Sequence, residues 1–315
     1  VEWTLYSSGG KIMPSLNILL EEWYYILMLG TVMTLSYYAR KYDVFQPFYS
    51  FIAKIVKSKR AVIALTSAIS GVLPINGRVV ISAGVLNTMA PQDDRRKKYG
   101  VIDYLATHHF YFWSPLEKTV ILPMAALNIS YASFVGSVWP LLATLIICVL
   151  YYIFVVVKED DVDIVIRNQR EKHTLDTKKI IKENIVTLAI VTGLLMAGNF
   201  VGYHKEYFSQ IVDSAHKSGL LILVLLGSFV LSLILGSSGK FAGVLSISLP
   251  IFGAASLPIL FAANWAGYIL SPMHKCMIIG KRMFGSTFKD YYTVLAGVVF
   301  FVFLVAVVQT YTTGL

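Results

Sequence analysis

Arg78 and Lys240 each follow a glycine inside an otherwise apolar run, in Asn76-Gly77-Arg78 and Ser237-Ser238-Gly239-Lys240. An unpaired charge deep in such surroundings costs at least about 2.5 kcal/mol. Each cation therefore needs an anionic ligand, a protein acid, or a snorkelling route to the interface. A second pair of sites reads Ser114-Pro115-Leu116-Glu117-Lys118 and Ser271-Pro272-Met273-His274-Lys275. Lys118 and Lys275 hold equivalent places, and Glu117 aligns with His274. A carboxylate or imidazole there can carry a coupling proton, because His titrates near neutrality. Glu117 reads equally well as a structural partner of Lys118 or Arg78. His108 and His109 are adjacent, so they face different ways on a helix and lack the spacing of a helical metal pair. At most one of them lines a cavity, and His109 joins Glu117 and His274 as an ion-coupling candidate. Ser70, Asn76, Ser237, Ser238 and Asn264 offer neutral hydrogen bonds, although such residues also cap backbone. No metal site and no cofactor is expected.

These groups must be positioned by elements that live in lipid. Of the 315 residues, 56% are hydrophobic and 14% charged, with a mean hydropathy of +0.66, whereas soluble domains carry about 25% charged residues. The net charge of +9 comes from Lys and Arg clustered in short connectors. That is the positive-inside pattern of a membrane protein rather than a nucleic-acid-binding face. Cys148 and Cys276 match no metal or redox spacing and read as core packing. The opening VEWTLYSSGGK lacks the basic and apolar regions of a cleavable signal.

A bilayer span needs about 20 mostly apolar residues. The first expected span is 19–38, followed by an interfacial helix at 44–56 that is too short to cross. Residues 61–89 are long enough to cross but are broken around Pro74-Ile75-Asn76-Gly77. Proline removes a backbone donor and glycine weakens a helix, so the segment reads as a re-entrant hairpin. Its irregular tip requires cover by protein or a water-filled cavity. Residues 101–127 form a span broken at the first Ser-Pro, and 132–157 cross without a break. The charged connector 158–183 is placed on the cytoplasmic side. The order then repeats: a span at 184–202, a hairpin at 219–254, a broken span at 257–284 and a span at 291–311.

The fold class expected is an all-α polytopic membrane protein of about six spans plus two hairpins. It is built as two inverted-topology repeats, 1–157 and 184–315, with both termini outside. Interrupted segments at corresponding positions of two halves point to a transporter site. Broken helices expose terminal N–H groups and positive dipole ends to an anion, while unwound carbonyls can hold a cation. The candidate anion site comprises Asn76, Gly77, Arg78, Ser114, Lys118, Ser237, Ser238, Gly239, Lys240, Ser271 and Lys275.

The runs LPINGRVVISAGVLNTMAP, YGVIDYLATHHFYFWSPLEKTVILPMAALNIS and GYILSPMHKCMIIGKRMFG resemble the integral-membrane family known as domain of unknown function 401. That family is grouped with the ion-transporter superfamily of gluconate, citrate and dicarboxylate carriers. The resemblance covers roughly residues 61–292. It implies opposed hairpins with a substrate site at their tips, a homodimeric scaffold and an elevator-like motion.

The function expected is secondary active transport of a small carboxylate or other oxyanion in the plasma (inner) membrane, coupled to a proton or sodium gradient. Membrane lipid and the anionic substrate are the expected partners, and nucleic acid is not. Translocation of a lipid-linked phosphate and an anion channel are the alternatives. An intramembrane enzyme using His108, His109, Glu117 and His274 is disfavoured, since no G-x-S-x-G nucleophile motif appears. The chain also lacks the G-x-x-x-x-G-K-[ST] motif for direct ATP drive.

Overall fold

The computed structural model describes residues 54–72, 78–164 and 220–312, together with 51, 52 and scattered positions within 27–38 and 178–210. Most of the spans expected at 19–38 and 184–202, much of the interfacial helix at 44–56, and the hairpin tip at 73–77 lie outside these residues. All regular structure among the described residues is helical, the form that satisfies every backbone polar group within its own segment in lipid. The helices are α1 (Lys59–Val72), α2 (Arg78–Met89), α3 (Arg96–Thr107), α4 (Lys118–Leu127), α5 (Tyr131–Tyr151), α6 (Leu220–Leu235), α7 (Ser238–Phe252), α8 (Leu257–Leu270), α9 (Lys275–Phe284) and α10 (Phe288–Thr312).

Among the described residues, three helical runs are long and apolar enough to cross a membrane: Tyr131–Val156, Ala254–Phe284 and Phe288–Thr312. The protein is thus an all-helical chain of membrane type. The first run joins α5 to a π-helical turn, Tyr152–Val156. The second is interrupted, because its helix stops at Leu270 and restarts at Lys275. Its first part, α8, is buried nearly throughout, from Leu257 to Ile269. By contrast, α5 and α10 expose Ile147, Leu150, Phe300 and Val308 along one side, as helices bordering lipid do.

The arms of the two helix pairs behave differently. α1 lies on both α2 and α3, and α2 also touches α9. In the second pair α6 and α7 touch each other little, since α6 lies along α8 and α7 along α4. The two arms of the segment 219–254 are thus held mainly by neighbours rather than by each other. Sequence gives the reason at Gly267, where α6 comes so close that an added Cβ would collide with the Phe229 carbonyl oxygen. No other residue type allows that approach. Gly71 does the same in the first half, where an added Cβ would stand 2.5 Å from the Thr107 carbonyl oxygen.

The basic connectors converge on one end of the assembly. Lys59 pairs with Asp163 at 3.0 Å, Arg60 with Glu159 at 2.5 Å and Arg95 with Asp163 at 3.8 Å. Arg96 Nη2 donates to the Met283 carbonyl at 2.6 Å, and the Ser286 hydroxyl to the Lys97 carbonyl at 3.0 Å. The connectors expected on one side from their Lys and Arg content meet there as neighbours in space.

Candidate functional site

Each Ser-Pro break is a four-residue turn closed by the same backbone bond. The Glu117 N–H donates to the Ser114 carbonyl at 3.0 Å, and the His274 N–H donates to the Ser271 carbonyl at 3.0 Å. Proline in the second turn position has its φ preset for this geometry. The residue closing each turn, Glu117 or His274, is extended (φ −99, ψ 134 and φ −64, ψ 116) and precedes a new helix at Lys118 or Lys275. The first interruption is longer than the stretch expected at 113–118, because α3 gives way at His108 to a 3-10 turn, His108–Phe112.

A break leaves helix-end carbonyls that must find donors. In the first, the carbonyl of Tyr111, four residues before Pro115, accepts the Thr119 hydroxyl at 2.9 Å, and that of Trp113 accepts the Tyr131 hydroxyl at 2.6 Å. In the second, the carbonyl of Tyr268, four residues before Pro272, receives His274 Nδ1 at 3.1 Å. Those of Ile269 and Leu270 accept the Tyr104 and Tyr292 hydroxyls at 2.7 and 3.1 Å. Side chains from other elements thus hold each break open.

The junction of α6 and α7 is wedged between the two breaks. Gly236, at φ +51, lies against Ser271 and Met273. Three residues on, the Lys118 ammonium stands 3.7 Å from where a Cβ of Gly239 would be, and the Ser237 hydroxyl 4.0 Å from it. The half-buried Lys118 therefore reaches from the start of α4 to the start of α7. Its ammonium, the Ser237 hydroxyl and the first turns of two helices meet there. Such a combination favours an anion.

The other candidates separate. Ser114, Ser271, Glu117 and His274 are buried, Ser238 is half-buried, and Lys275 is exposed. Arg78 opens α2 and Lys240 is the third residue of α7; their side chains, and Asn76 and Gly77 altogether, lie outside the described residues. His109 Nε2 meets the Ala68 carbonyl at 3.2 Å, and its Nδ1 accepts the Trp113 indole N–H at 2.9 Å. His108 is the residue brought to His274, with the two Nε2 atoms 3.1 Å apart. Cys276, expected to serve only packing, lies beside them, and the ligand atoms of all three are within 4.8 Å of one another. The rings of Tyr104, Tyr111 and Tyr268 enclose the histidines.

Asp103 has no counterpart in the sequence reading. It is buried on α3 within hydrogen-bonding reach of Ser67 from α1, Ser82 from α2 and Thr107, with Thr107 Oγ1 at 3.3 Å. An acid five residues before His108 in the apolar start of the stretch 101–127 was the available signal, since ionisable residues within membrane segments are expensive and mark function. In the second half, Asn264 on α8 accepts the Ser232 hydroxyl from α6 at 3.0 Å.

No protein-family model matches the chain, and no curated protein or solved structure matches it.

Proposed function

We propose that this chain is a secondary transporter of a small anion, a carboxylate or other oxyanion, working by alternating access between two inverted repeats. The observation that carries this reading is the reach of Lys118 to the first turn of α7, where a cation, a serine hydroxyl and two helix starts converge at a pair of interrupted helices. The correspondence of contacts supports the repeat: α1 lies on α3 as α6 lies on α8, and α2 lies on α9 as α7 lies on α4. The identical closure of both Ser-Pro turns supports it too. Arg78 and Lys240, at the starts of α2 and α7, complete the binding charge. Asp103 is the group that holds a coupling proton or sodium ion. The resemblance to the domain of unknown function 401 family adds an elevator-like motion and a homodimer. In this reading the protein resides in the plasma membrane, with the basic end inside and both termini outside.

The test is uptake of labelled carboxylates, phosphate and sulfate into liposomes holding the purified chain under proton and sodium gradients. Saturable uptake of one anion class, lost in Lys118→Gln and reduced in Arg78→Ala and Lys240→Ala, is expected. Absence of flux for every anion, or flux untouched by all three substitutions, overturns the proposal. A gradient-independent conductance would identify a channel, and a phospholipid-linked anion retained through purification would identify a lipid translocase.

A further inference from the structure

The hydrogen bonds around His108 and His274 fix both rings in one tautomer. His108 Nδ1 is bonded to the Tyr104 carbonyl, which can only accept, so Nδ1 carries the hydrogen. His274 Nδ1 faces the Tyr268 carbonyl at 3.1 Å, again an acceptor only. It also faces the Tyr104 hydroxyl at 2.9 Å, whose own hydrogen is given to the Ile269 carbonyl at 2.7 Å. In each neutral ring Nε2 is then the nitrogen that carries the lone pair, and the two Nε2 atoms stand 3.1 Å apart at residues that are each 1% exposed.

From this we infer that His108 Nε2, His274 Nε2 and Cys276 Sγ form a binding site for a borderline-soft divalent metal ion, Zn2+ in chemical class. Two nitrogens bound at about 2.0–2.1 Å to a tetrahedral ion lie about 3.3 Å apart, close to the spacing present. Donation of the remote ring N–H to backbone carbonyl is the arrangement that orients histidine ligands around a metal. Cys276 supplies a thiolate that offsets one of the two positive charges. It lies in the first turn of α9, two residues after His274, and a rotation of its half-buried side chain brings the sulfur in from within 4.8 Å. The absence of any oxygen ligand in the cluster disfavours Mg2+ and Ca2+, while nitrogen and sulfur ligands select zinc-like ions. Three protein ligands leave a fourth position for water or an anion. The site joins the end of α3 to the start of α9, and it stands whether or not the chain carries an anion.

The test uses the full chain purified in detergent, with Co2+ as a spectroscopic probe. One Co2+ per chain is expected, with a sulfur-to-metal charge-transfer band in the near ultraviolet, visible bands of a tetrahedral ion, and displacement by Zn2+. Cys276→Ser removes the charge-transfer band, whereas Cys148→Ser leaves it. Tyr104→Phe, which takes away the acceptor beside His274 Nδ1, weakens Zn2+ by about 10–100-fold. Retention of the gel-filtration profile by Cys276→Ser shows that the fold survives. The inference is overturned if no charge-transfer band appears, if Cys276→Ser retains as much Zn2+ as the parent chain, or if Zn2+ leaves the unfolding temperature unchanged. The last result would instead assign the space between the two nitrogens to a shared proton.

Discussion

Gly236 is folded onto Ser271: at φ +51, a Cβ on Gly236 would stand 2.8 Å from the Ser271 hydroxyl oxygen and 3.0 Å from the Met273 carbonyl carbon. Gly236→Ala adds both the strain of a left-handed residue and a collision with the second break. A cost of about 1–3 kcal/mol is expected, read as a lowered unfolding temperature in detergent. Uptake should fall further than the loss of folded protein explains, because the displaced segment is the one that Lys118 reaches.

Lys118 and Lys275 hold equivalent places in the sequence but not in the fold. Lys118 is half-buried against α7, and Lys275 is exposed. Lys118→Gln should lower the apparent affinity for the transported anion at least tenfold, and Lys275→Gln less than twofold, in parallel uptake curves. Equal losses for the two would show that depth of burial does not set their roles.

Asp103→Asn keeps the side chain's shape, its place beside Ser67 and Ser82, and its ability to accept from Thr107, but removes the ionisable group. The variant should fold normally and exchange anion across the membrane at equilibrium. It should fail to concentrate that anion in response to a proton or sodium gradient. Undiminished gradient-driven accumulation would assign the coupling elsewhere.

Gly71→Ala and Gly267→Ala push backbone against backbone, at the Thr107 and Phe229 carbonyls respectively. Overpacking of this kind costs about 1–3 kcal/mol, so both variants should unfold at lower temperature. Gly297→Ala, on α10 with open space around it, should match the parent chain.

At the basic end, burial raises the Glu159 carboxyl, but the Lys59 N–H, the Arg60 guanidinium and the Ser58 hydroxyl outweigh it, so the net shift is below the usual value of 4.5. Asp163 is also lowered, chiefly by its hydrogen bond from Lys59. A carboxylate lowered in the folded state stabilises it above the unfolded pKa, and that contribution is lost as pH falls through the folded one. The attachment of residues 159–163 to the start of α1 should therefore persist at neutral pH and fail below about pH 4. Proteolysis within 158–183 at stepped pH reports it, and Glu159→Gln should lower the resistance already present at pH 7.

The breaks were legible because proline and glycine act locally. Pro115 and Pro272 each follow a serine in a turn for which the proline φ is preset, whereas Pro123, Pro140 and Pro250 are accommodated inside helices. What those breaks are fastened to was not legible, because Tyr104 and Ile269, or Tyr292 and Leu270, meet only through the fold. The same distance hid the cluster of His108, His274 and Cys276, in which His108 and His274 are 166 positions apart. Along the chain Cys276 looks like filler and His108 like the neighbour of His109. Asp103 was legible as an anomaly, an acid at the start of an apolar run, but its neighbours Ser67 and Ser82 come from other helices and are not visible along the chain. Lys118 and Lys275 show the opposite limit: matched sequence positions diverge in the fold, one half-buried against α7 and the other exposed.

The two Ser-Pro turns also restrict how the molecule can change shape. With Tyr111 and Tyr268 carbonyls already engaged by Thr119 and His274, and prolines where an unbroken helix would need N–H donors, neither half-helix can rewind into its partner without surrendering bonds on both sides. The cheap coordinate is a rotation about the turns, with α4 and α9 swinging as rods. Each turn then sets the angle of its half-helix rather than its length.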